Sequence, residues 1–141
     1  RNVRAIAGES IRLSIETRRT MVEINGQRLR LSPREHLTLL FLAHRAKRSA
    51  PAFPYYGAAL DAVNAFRFEM LDAAPEEDFG DWRHEDRLKQ ALEERDLSRL
   101  VSDLRRKIQA LQGEPSILAG CLPEKGRFSL DMKSSLIDIR P

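Results

Sequence analysis

Arg99, Ser102 and Arg106 are separated by three and four residues, and Arg105 and Lys107 flank the last of them. On an α-helix that spacing lines up Arg99, Ser102 and Arg106 along one edge. An arginine presented this way can donate two N–H groups to guanine O6 and N7 in the major groove of DNA. These three are the candidates for base contact. Arg105 and Lys107 are candidates for phosphate contact, which would be salt-dependent and largely blind to sequence. Lys125 and Arg127 stand on either side of Gly126 and form a second pair of phosphate-contact candidates on a turn. A helix that turns cations outward must bury its other edge. Leu97, Leu100, Val101, Leu104, Ile108 and Leu111 recur at helical spacing through the same segment. The plainer origin of such a helix is a core helix with a solvated charged face.

Other chemistry is thinly represented. His36, His44 and His84 have no Cys or carboxylate at metal-site spacing, and one cysteine, Cys121, cannot build a structural zinc site. His44 reads as a helix-end residue near the carbonyl dipole rather than a catalytic base. Glu76, Glu77 and Asp78 form a solvated loop run. No glycine-rich phosphate loop or nucleophile elbow is present in the sequence. The expectation is a protein that is not an enzyme and needs no cofactor. Tyr56, Phe68 and Trp82 are the candidates for an interaction surface, because aromatic residues are enriched at binding hot spots. The competing fate of these aromatics is to complete the core.

The elements that must position these residues follow from the patterning of 141 residues, 42% hydrophobic and 32% charged. That length suits one domain with a sizeable core. The net charge is +3, unevenly spread: residues 1–50 hold eleven Arg or Lys against four Glu, and 76–96 hold nine Asp or Glu against four Arg or Lys. Separated charge of this kind can bring one face of a protein to a polyanion. No apolar run reaches the roughly 18 residues of a membrane span. A lone cysteine and no signal-like segment predict a cytoplasmic chain. The chain opens on Arg1 rather than Met. It is read as the C-terminal fragment of a longer protein, with an upstream domain preceding it.

Ile11, Leu13 and Ile15 alternate with Arg12, Ser14 and Glu16, the period of a half-buried strand. Asn25-Gly26 between Met21–Ile24 and Arg28–Leu31 predicts a tight hairpin. Residues 10–31 are therefore strands. Ser32, Pro33 and Glu35 form a capping box for a first helix over 32–48, with Leu37, Leu40 and Phe41 inward and His44 at the edge. Residues 49–95 make an elaborated helical segment. It contains a helix from Tyr55 to Asp72, with Ala59, Val63, Phe66 and Met70 on one face, and a short helix over Asp81–Glu94 with Leu88 and Leu92 inward. Asp96 is the expected N-cap and Gly113 the expected C-cap glycine of the helix over 96–112. Ile117–Leu122 and Arg127–Met132 are expected to pair as a hairpin within 116–132. Ile137 and Ile139 suggest a last short strand.

This order of elements is that of a winged helix-turn-helix. Three stretches resemble the OmpR/PhoB-type effector domain of transcription regulators. Val22 through Glu35 resembles that family's strand hairpin leading into its first helix. Leu97 through Ile108, with Leu104-Arg105-Arg106-Lys107-Ile108, resembles its recognition helix. Ile117 through Leu130 resembles its wing, although the turn Glu124-Lys125-Gly126-Arg127-Phe128 has one glycine fewer. The likeness covers about two-thirds of the chain, and the stretch before the recognition helix is about twenty residues longer than the family pattern. A similar winged helix ends CRISPR-associated proteins that carry a nucleotide-sensing CARF domain, where it need not touch DNA. The resemblance implies an α+β winged helix with four helices and a C-terminal wing hairpin. Its implied function is binding of duplex DNA through the 97–111 helix and the wing, within a transcription-regulatory or antiviral-defence protein. The other implied function is a protein–protein or homodimer-forming module with no DNA contact.

Overall fold

The structure is a computed structural model that describes residues 11–73 and 90–141. It is an α+β arrangement in which a four-stranded mixed sheet lies against helices. The strands are β1 (Leu13–Glu16), β2 (Met21–Ile24), β3 (Gln27–Arg30) and β4 (Ile137–Arg140), in the order β3-β2-β1-β4. The expected hairpin is present: Asn25 and Gly26 take φ of 50° and 81°, and Met21 pairs with Arg30. Asn25 also accepts the Arg12 amide at 2.7 Å through its side-chain oxygen, tying the turn to β1. The last strand is where Ile137 and Ile139 suggested. It pairs parallel with β1, Leu13 opposite Ile137, so the two ends of the described chain share one sheet.

Alternation turns Leu13, Ile15, Val22, Ile24 and Ile137 inward, where α1 (Pro33–Lys47) covers them. The capping box is present, with Ser32 and Glu35 each accepting from the other's amide. Every residue from Glu35 to Ala43 is buried, because the sheet covers one side of α1 and the other helices the rest. His36 is among them, its Nε2 donating to the Glu16 carbonyl at 2.6 Å. The second helix, α2 (Tyr56–Ala73), buries Ala59 and Val63 as expected. Among the described residues no helix is long and apolar enough to cross a membrane.

The third helix, α3 (Glu94–Gln109), starts earlier than its sequence suggested. Glu93 is the N-cap, and Asp96 lies at the third helical position, where its carboxylate accepts the Glu93 amide at 2.9 Å. An aspartate in a first turn satisfies exposed N–H groups as well from inside the helix as from its cap, so residue type alone did not place the boundary. The expected helix over Asp81–Glu94 falls mostly outside the described residues, as do Leu88, Trp82 and His84. Its last part, residues 90–93, is non-helical, although Leu92 is buried as predicted. The C-cap of α3 is Ala110 rather than Gly113, whose φ of +77° instead turns the chain into a 3-10 helix.

That 3-10 helix, Glu114–Cys121, replaces the first strand of the expected wing. Pro115 suits a helical first turn, and Leu118, Ala119 and Cys121 are all buried against the core. This burial has no period of two, so a strand facing core on one side and water on the other cannot meet it. The hairpin shrinks to a tight turn in which Glu124 and Arg127 exchange two 2.9 Å backbone hydrogen bonds, with Gly126 at φ +88°. The chain after the turn pairs instead with the segment before α2, through a bridge between Phe128 and Phe53.

Candidate nucleic-acid interface

The apolar edge of α3 packs as the spacing requires. Leu97, Val101, Leu104 and Ile108 are fully buried and Leu100 nearly so. Each such side chain contributes roughly 1.5–3 kcal/mol relative to exposure. With that edge inward, helical geometry sends Arg95, Arg99, Ser102 and Arg106 outward together, and all four are exposed. Among the described residues Arg99 makes no ion pair. Arg106 pairs with Asp103 one turn earlier, and Arg95 pairs with Glu93 at 3.1 Å.

Beside this strip runs a groove of about 500 Å³, bounded by the start of α2, by α3 and by the tight turn. Tyr55, Tyr56, Glu94, Ser98, Ser102, Arg105, Lys125 and Gly126 line it. The turn is held by an aromatic cluster. The Phe128 ring lies 5.1 Å from Tyr56 and 6.4 Å from Phe41, and Phe41 lies 5.6 Å from Phe66. Tyr56 donates its hydroxyl to the Pro123 carbonyl at 3.1 Å. Burial pushes the Tyr56 phenol up, against the opposing pull of Arg105 and Arg127, so it stays a neutral donor.

The cations singled out from sequence separate into two groups. Arg99, Arg106 and Lys125 face solvent along the strip and the turn, with Ser102 among them. Arg105, Arg127 and Lys107 do internal work. Arg105 donates to the Pro123 carbonyl at 2.5 Å, and Arg127 donates to the Ser129 hydroxyl at 2.8 Å and to the Leu122 carbonyl at 3.3 Å. Both therefore brace the turn. Lys107 points to the far side of α3, where its ammonium lies 2.5 Å from the buried Glu35 carboxylate of α1. It does not belong to the groove side of the helix.

Of the aromatic candidates, Phe68 is exposed and Tyr56 is half-buried in the cluster just described. The neighbouring Tyr55, 58% exposed, is the larger free aromatic surface. Sequence reading also missed Ser98, Glu94 and Tyr55 as lining residues. Ser98 stands four residues before Ser102, so its place on the same edge was available from spacing.

A second arrangement fixes how α3 leaves the preceding chain. Asn64 on α2 clamps Leu92 from both sides, accepting its amide at 2.8 Å and donating to its carbonyl at 3.1 Å. Arg67, fully buried, donates to the Gln90 carbonyl and to the Asn64 side-chain oxygen, each at 3.0 Å. Desolvation, followed by the charge of Arg34, lowers the Arg67 pKa to about 10, so the guanidinium remains charged at neutral pH. His44 sits half-buried in the last turn of α1, its pKa lowered first by burial and then by Arg48. Among the described residues no group of three or more His, Cys, Asp or Glu is placed to hold a metal ion.

No family model, curated protein or solved structure matches the chain.

Proposed function

We propose that the chain is a winged-helix-like nucleic-acid-binding module of a larger regulatory protein, docking duplex DNA against the outward strip of α3 and the turn at Lys125. The single observation behind this reading is the strip itself. Arg99 on the outward strip of α3 and Lys125 on the turn that lines the groove stand exposed, without an ion pair among the described residues, and the opposite edge of α3 is core. In this reading Arg99, Ser102 and Arg106 reach base edges, and Lys125 meets a phosphate. Arg105 and Arg127 hold the turn that presents Lys125, and Lys107 has no DNA contact.

The test is binding to random-sequence duplex between about 50 mM and about 200 mM salt. On random sequence the exposed arginines of the strip also meet phosphates, so that with Lys125 three to four contacts give a slope of log affinity against log salt of about −3. Arg99→Ala and Lys125→Ala are each expected to weaken binding several-fold and to reduce the slope by about 1. Absence of binding at the lower salt defeats the proposal. Self-association in its place would favour the protein–protein reading, with exposed Phe68 as the first residue to change.

A further inference from the structure

The groove beside α3 is wider than a phosphate contact needs, and its lining is mixed in a particular way. Tyr55 lines the groove and is 58% exposed, so its ring is open to a ligand lying there. Ser98 and Ser102 place two hydroxyls one turn apart along the α3 wall, and Arg105 and Lys125 are the cations of the turn side. The Glu94 carboxylate lies beside Gly57 and Tyr55 at the start of α2: a Cβ built on Gly57 would meet it at 3.1 Å and the Tyr55 ring at 3.3 Å. One end of the groove is therefore aromatic and acidic, and the other cationic. The interior of a duplex, with its bases stacked on both faces, offers a phosphate chain to the cations but no open π-face to Tyr55. A nucleotide whose base is unstacked offers both parts, a π-face for the ring and a phosphate for the ammonium.

We propose that this groove accepts one unpaired nucleotide at the end of a duplex, its base stacked on Tyr55 and its phosphate directed to Lys125. The inference rests on the nucleic-acid reading above and adds the form of nucleic acid preferred. The Glu94 carboxylate repels the phosphate from the Tyr55 end and so sets the direction in which the nucleotide lies. Ser98 and Ser102 supply hydroxyl donors between the two ends.

The whole chain is titrated with a blunt duplex and with the same duplex carrying a short single-stranded overhang that contains 2-aminopurine. The overhang is expected to tighten binding by at least about fivefold, because stacking one base on an aromatic side chain is worth that much or more. The 2-aminopurine fluorescence should fall on binding. Tyr55→Ala should remove both the gain and the quenching while leaving blunt-duplex affinity within about twofold, and Tyr55→Phe should keep both. Equal affinity for blunt and overhanging duplex overturns this inference while leaving the proposed function standing. The same holds if the gain survives Tyr55→Ala. Failure of both nucleic acids to bind overturns both.

Discussion

Two sets of basic side chains in this protein differ in what surrounds them. On the inner side, Arg67 is fully buried against the chain leading into α3, and Lys107 reaches across to the buried carboxylate of Glu35. On the outer side, Arg99 and Lys125 are exposed, and among the described residues Arg95 and Arg106 pair only with carboxylates of their own helix or its cap. The immediate sequence does not separate the two sets: Arg106 and Lys107 are adjacent residues and belong to opposite ones. The inner cations hold elements together, and their removal acts on stability. The outer ones contribute little to stability, because exposed ion pairs are worth about 0–1 kcal/mol, and under the proposed function their removal acts on binding.

The largest effect expected is at Arg67. Truncation by Arg67→Ala removes one of the largest fully buried side chains and leaves the Gln90 carbonyl without its guanidinium donor. The void and the lost hydrogen bonds together should cost about 3 kcal/mol or more. Thermal or urea unfolding measures this directly. DNA affinity of the protein that remains folded, measured well below its melting temperature, should stay within about twofold of the parent. A variant as stable as the parent but unable to bind would place Arg67 in the interface and break the comparison.

Arg67 also marks the boundary of what the sequence disclosed. The hairpin at Asn25-Gly26, the Ser32–Glu35 capping box and the inward edge of α3 were legible because each is set by residues within a few positions of one another. Arg67 was legible in part: it follows Val63 by four residues and shares its buried face, yet its charge argues for the surface. The Lys107–Glu35 pair spans 72 residues and left no local trace. The expected wing failed for a related reason. Ile117-Leu118-Ala119-Gly120-Cys121-Leu122 is a short apolar run without alternation, equally suited to a strand or a tight helix. Pro115 and the burial of four of the run's residues, Leu118, Ala119, Cys121 and Leu122, decided for the 3-10 helix. Of the candidate site, the outward direction of Arg99, Ser102 and Arg106 followed from helical period. The internal roles of Arg105 and Arg127 depend on carbonyls of the turn region, which no spacing rule locates.

A smaller stability effect belongs to Lys107. Its side chain is about two-fifths exposed while that of Glu35 is 5% exposed, so the pair is screened at one end only. Lys107→Met keeps most of the packing and removes the charge, and Glu35 retains the Ser32 amide as a donor. A loss of about 1–2 kcal/mol is expected in urea unfolding, between the values for exposed and buried pairs. The salt slope of DNA binding should not change. A slope reduced by about 1 would instead return Lys107 to the set of phosphate contacts.

The smallest effect tests the outer set from the opposite direction, by removing an acid rather than a cation. Asp103 pairs with Arg106, and its carboxylate is the acidic group of α3 nearest that arginine along the strip. Two consequences follow if a polyanion docks there. The carboxylate repels phosphates, and it holds the Arg106 guanidinium away from base edges. Asp103→Asn preserves size and removes both effects. Affinity for duplex at low salt should then rise about two- to fivefold. Stability should change by less than about 0.5 kcal/mol, because the pair is a surface contact within one helix. Unaltered affinity across the salt range would take Arg106 out of the interface and leave Arg99 and Lys125 to carry it. A loss of affinity would mean that Asp103 orients Arg106 for contact, so that the pairing belongs to recognition and not to restraint.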